Sequence, residues 1–74
     1  MAVSEKILAV MESERAARNL AAAVAGELGA TYDALSDEYR YRRDGSMRRL
    51  AIREKEGTSL KLIVYIQEVE GIPA

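Results

Sequence analysis

The chain has no cysteine and no histidine. Disulfides, thiol nucleophiles and the usual zinc and haem sites are therefore excluded, and no metal or cofactor is expected. Tryptophan and phenylalanine are also missing, and proline occurs once. Long apolar runs are lacking too: the longest, residues 20–25, holds six residues, and residues 7–11 and 62–66 hold five each, far short of a membrane span. Glu5, Lys6, Glu12 and Glu14 around the first run do not suit a signal peptide. The absence of cysteine fits a reducing compartment, so a cytoplasmic protein without membrane contact is expected. Residues 1–74 make one small domain. A chain of this size buries only about 60% of its unfolded surface. With disulfides and metals excluded, association is the remaining source of stability, so a homodimer or a subunit of a larger complex is expected.

What the chain does have is a concentration of arginine. Residues 38–56, EYRYRRDGSMRRLAIREKE, read as two strands joined at Asp44-Gly45, a strong hairpin signal. Residues 39–53 carry Arg40, Arg42, Arg43, Arg48, Arg49 and Arg53 against Asp44, a charge of +5. Residues 1–38 carry −4 and residues 54–74 carry −2, which gives the net −1. With Asp44-Gly45 as a two-residue loop, Tyr41 faces Arg48, Arg40 faces Arg49 and Tyr39 faces Leu50. Alternation then places Tyr39, Tyr41, Leu50 and Ile52 on one face, and Arg40, Arg42, Met47, Arg49, Ala51 and Arg53 on the other. A slip by one residue would set Arg40 opposite Leu50 and mix the two sets.

Upstream, the compact run Ile7 to Met11 lacks helical spacing and reads as a first strand. Ser13 can cap the helix that follows, with Glu12 and Glu14 suited to the positive end of its dipole. Ala16, Leu20, Val24 and Leu28 recur every four residues beside Ala17 and Ala21, predicting a helix over residues 14–28 that ends at Gly29. Its alanine content follows first from helix propensity; a smooth surface at Ala22, Ala25 and Gly26 would also admit a close neighbour. Residues 31–37 form a connection of open conformation. The segment from Thr58 reads two ways. Alternation of Leu60, Leu62, Val64 and Ile66 with Lys61, Ile63, Tyr65 and Gln67 favours a strand. A cap at Thr58 or Ser59 and a stop at Gly71 and Pro73 favour a helix, which would be apolar nearly all round.

Little here suits catalysis. The five serines have no activating base in their local contexts. Asp33, Asp37 and Glu38 could meet around a hard cation, but read more simply as a solvated acidic turn. No enzyme activity and no small-molecule substrate are expected. The six hairpin arginines are the candidate site, since guanidinium forks match phosphate oxygens and suit a nucleic-acid backbone. Arg40 directly opposite Arg49 costs stability, so something must compensate it. An edge made soluble by charge is the simpler alternative, and acids on a partner protein are another.

In its apolar strand leading into ESERAARNLAAAVAGELG, its hairpin YRYRRDGSMRRLAIREKE and its segment TSLKLIVYIQEV, the chain resembles the small dimerising subunit of the KEOPS (EKC) tRNA-modification complex. Lys61 departs from the arginine usual there, and Tyr65 and Ile66 stand where the family tends to have Asn-Ser. The resemblance implies a β-α-β-β-α fold, with a three-stranded antiparallel sheet and two helices on its tyrosine face; the alternative keeps a strand as the last element, β-α-β-β-β. It implies a non-catalytic subunit of a threonylcarbamoyladenosine-forming complex that dimerises, docks the ATPase-like catalytic subunit and helps hold tRNA. The alternative function is a small protein-binding regulator or inhibitor whose arginine face meets an acidic partner.

Overall fold

The computed structural model describes residues 5–58 and 60–69. Along the chain come β1 (Glu5–Met11), α1 (Glu14–Leu28), β2 (Thr31–Asp33), β3 (Glu38–Arg43), β4 (Ser46–Glu54) and β5 (Leu62–Glu68). The strands form one sheet in the order β1-β5-β4-β3-β2, and every neighbouring pair is antiparallel. The helix crosses one face from the β1 edge towards the β2 edge. The other face carries no helix among the described residues.

Local chemistry explains α1 and the central hairpin. Ser13 Oγ accepts a hydrogen bond from the Ala16 amide at 3.1 Å, which satisfies one of the orphan donors of the first turn. Gly29 ends the helix in the left-handed region at φ 68°, where its lack of a Cβ avoids strain. In the β3–β4 turn both Asp44 (φ 53°) and Gly45 (φ 78°) have positive φ, the type I′ geometry whose twist matches a tight hairpin. The register follows as expected, with Tyr39 opposite Leu50, Arg40 opposite Arg49 and Tyr41 opposite Arg48.

The core lies between α1 and the middle of the sheet. Ala17, Ala21 and Ala25 pack on Leu50 and Val64, with Leu20, Val24, Tyr39, Ile52, Leu62 and Ile66 around them. The helix is thus seated on its alanines, and Leu20 and Val24 flank that line. Small side chains bring the helix axis close to the sheet, so alanine here supplies packing as well as propensity. In β1 a bulge between Ile7 and Ala9 shifts the register and leaves Leu8 packed on this core while Ile7 and Val10 take the opposite face.

Two expectations are corrected. The three-stranded sheet with two helices is a five-stranded sheet with one helix, because residues 62–68 form strand β5 between β1 and β4. The run that would be apolar nearly all round a helix has apolar residues on both faces of a strand instead: Val64 and Ile66 meet α1, and Ile63 and Tyr65 meet Ala51 behind the sheet. The β-α-β-β-β alternative has the last strand but lacks β2, a three-residue edge in which Thr31, Tyr32 and Asp33 pair with Arg40, Tyr39 and Glu38. The proposed cap at Ser59 and stop at Gly71 and Pro73 lie outside the described residues. Among the described residues no helix is long and apolar enough to cross a membrane.

Candidate functional site

The six hairpin arginines divide into two sets. On the uncovered face, register places Thr31, Arg40, Arg49, Gln67 and Glu5 in one cross-strand row over all five strands. Arg40 Nε bonds Glu38 Oε2 at 2.7 Å and lies 3.8 Å from Asp33. Arg49 reaches the other oxygen of Glu38 at 3.4 Å, and its Nε donates to Gln67 Oε1 at 2.8 Å. Glu38 is only 5% exposed, and its two oxygens lie between two cations that would otherwise repel each other. This is the compensation that the Arg40–Arg49 pairing required. The Glu38 contact is also the main reason the Arg40 guanidinium holds its proton more tightly than usual.

Arg53 is tied differently. Its guanidinium carbon lies 5.1 Å from the centroid of the Tyr65 ring, and its Nη2 bonds Glu5 at 2.6 Å. The side chain therefore crosses the apolar centre of the uncovered face. Its stem helps shield Ala51, Ile63 and Tyr65, which are buried although no helix covers them. Next to that centre, on β1, Ile7 and Val10 remain 51% and 46% exposed. The face carries Arg40, Arg42, Arg49 and Arg53 against Glu5, Asp33 and Glu38, a net +1.

Arg43 and Arg48 lie on the helix side of the sheet, past the end of α1. Thr31, two residues after the Gly29 cap, already pairs with Arg40, and these two arginines are further along the hairpin. With Arg42 on the opposite face they form a basic tip. Among the described residues Arg42, Arg43 and Arg48 make no ion pair, whereas Arg40, Arg49 and Arg53 each do. Arg48 Nε donates only to Ser46 Oγ, at 3.3 Å. A cavity of about 210 Å³ lies at the tip, lined by Lys6, Arg43, Arg48, Ile66 and Glu68. Sequence spacing groups all six arginines; strand pairing separates them.

The acidic residues considered for a cation take separate roles. Asp33 accepts from the Leu35 amide at 3.0 Å, and this bond is the first reason its carboxyl lies below the usual range. Asp37, at φ 54°, receives both arms of Arg18 at 3.0 and 3.2 Å and the Tyr32 hydroxyl at 2.6 Å. Those contacts, Arg18 first, push its carboxyl down to about 2. The same bond from Tyr32 raises the phenol, and Asp37 ahead of Glu14 raises the Arg18 guanidinium. This cluster straps the β2–β3 loop to the helix at the mouth of a groove of about 370 Å³ floored by Ala21, Tyr39, Ile52 and Leu62. Glu38 instead serves the arginine row. No group of three or more acidic residues is placed to hold a metal ion among the described residues.

Sequence reasoning missed Glu38 and Glu5. The first had a readable signal, since it stands two residues before Arg40 in a strand and so shares its face. The second had none, because Glu5 meets Arg53 only through the β1–β5–β4 pairing. Compared with family models, with curated proteins and with solved structures, the chain matches none of them.

Proposed function

We propose that this chain is a non-catalytic assembly module that pairs with a second copy of itself across the uncovered face of its sheet. The observation that carries this reading is the apolar patch on that face, where half-exposed Ile7 and Val10 adjoin the shielded Ala51, Ile63 and Tyr65. Charge favours a like partner. Arg40, Arg49 and Arg53 are already satisfied by carboxylates of the same face, so an acidic partner would have to displace Glu5 and Glu38. At a net +1, two such faces repel only weakly, and the domain is small enough to gain from the extra burial. Sedimentation of the isolated chain should show a dimer at micromolar concentration. Val10→Glu, on an exposed strand position, should give a monomer with unchanged circular dichroism. A wild-type monomer, or a Val10→Glu dimer of undiminished affinity, defeats the proposal.

A second reading is contact with RNA, as the family resemblance implies for a subunit that helps hold tRNA. It is supported by the hairpin tip, where Arg42, Arg43 and Arg48 make no ion pair among the described residues. Binding of tRNA across a salt series tests it, because each phosphate contact adds to the slope of log affinity against log salt. Absence of binding at low salt removes this reading and leaves the assembly role standing.

A further inference from the structure

Three strands each deliver one cation to the cavity at the hairpin tip: Lys6 from β1, Arg43 from β3 and Arg48 from β4. Glu68, the cross-strand neighbour of Arg48, is the one carboxylate among its lining residues and makes no ion pair among the described residues, and Ile66 is the one apolar residue. Elsewhere in the sheet every cation but Arg42 has a carboxylate in contact among the described residues: Arg40 and Arg49 share Glu38, and Arg53 has Glu5. Off the strands, Lys61 has Glu12, and Arg18 on α1 has Asp37. Among the described residues none of the three cavity cations makes such a pair. Like charges brought to one concavity repel, and that cost is recovered when a multivalent anion enters.

We infer that Lys6, Arg43 and Arg48 form a binding site for a phosphate group. The inference rests on the polyanion reading of the tip and narrows it to one cavity. Two guanidinium forks and an ammonium supply planar and point-charge donors to the three or four oxygens of a phosphoryl group. Arg42, next along β3 but on the opposite face, is left outside the cavity and suits a neighbouring phosphate of a chain. The site does not need the arginines of the uncovered face, so phosphate binding and pairing of two sheets are compatible.

Backbone amide shifts of the full chain, titrated with inorganic phosphate and with sodium chloride at matched ionic strength, test the site. Saturable movement of the Lys6, Arg43 and Arg48 amides with phosphate but not chloride is expected. A short RNA oligonucleotide without terminal phosphates is the second probe: if it moves the same amides, a backbone phosphodiester is a source of the group, and if only inorganic phosphate does so, a free or terminal phosphate is; either result supports the site. Lys6→Ala and Arg48→Ala should each weaken binding of the effective probe about tenfold. Arg15→Ala, which removes the same charge from the exposed side of the helix, should leave it within about twofold of wild type. Unchanged thermal melts confirm that the variants are folded. If RNA binds but Lys6→Ala and Arg48→Ala weaken it no more than Arg15→Ala does, the cavity is the wrong site although the polyanion reading survives. If neither probe moves these amides, the site is overturned.

Discussion

The two faces of this sheet are built from the same strands but held by different forces. On the helix side, Leu50 and Val64 are fully buried against three alanines, and stabilisation comes from apolar area removed from water. On the other side, one residue further along the same strands, arginines and carboxylates form a partly exposed lattice across the sheet. Burial on the first face involves no charge, so it does not titrate and is not weakened by ionic screening. Ion pairs on the second are screened by salt, and each is worth little in isolation. The difference shows that a strongly basic sequence segment need not be a basic surface. Carboxylates from β1 and β3 pair with the arginines in the middle of the hairpin, whereas among the described residues the arginines of its tip make no ion pair, although Glu68 stands opposite Arg48.

The sharpest way to test this division is to damage each face in turn. Leu50→Ala should be the most costly change, about 3 kcal/mol, read as a lower urea midpoint; a loss below about 1 kcal/mol would mean that the covered face is not the core. Glu38→Gln, which keeps the shape and removes the charge between Arg40 and Arg49, should cost about 1–2 kcal/mol. It should also steepen the salt dependence of RNA binding, since two arginines lose their internal partner. A neutral effect on both measurements would break the claim that Glu38 compensates the pair.

A smaller effect is expected from acid. Contacts, Arg18 first, hold the folded Asp37 carboxyl down at about 2, below the unfolded value of about 3.9, so its contribution is fully present above about pH 5 and is lost as pH falls through about 2. Melting temperature followed over that window should therefore fall less steeply in Asp37→Asn than in wild type; parallel curves would show that Asp37 contributes nothing there. Arg42→Ala should have the least effect on stability, with no shift in melting temperature, and should lower the RNA salt slope by about one phosphate contact. Arg49→Ala, by contrast, should lower stability and leave the slope unchanged. The reverse pattern would show that the tip and the middle of the hairpin had been assigned the wrong way round.

Much of the architecture is legible in short stretches of the sequence. Ser13, Glu14 and Gly29 mark the ends of α1 because caps act through bonds within one turn. Asp44-Gly45 sets the register of β3 and β4 because a two-residue turn with positive φ leaves no freedom to slip. Both signals are local. The state of residues 62–68 is not legible in this way, since an apolar run buried on both sides satisfies a helix or a strand equally well. Its decision rests on β1 and β4, which lie far away in sequence and offer the two edges that β5 joins. The three residues of β2 are similarly too few to show a period.

By itself, then, the sequence determined the helix over residues 14–28, the hairpin and the separation of its tyrosines from four of its arginines. It also determined that histidine, cysteine and their chemistry play no part. Only the tertiary structure decided the five-stranded order, the seating of the helix on its alanines, and which arginines remain available. The reason is physical: caps, turns and alternation act over a few residues, whereas the partner of a charge depends on which strand lies beside it. Glu5 and Arg53 are 48 positions apart along the chain and 2.6 Å apart in the fold.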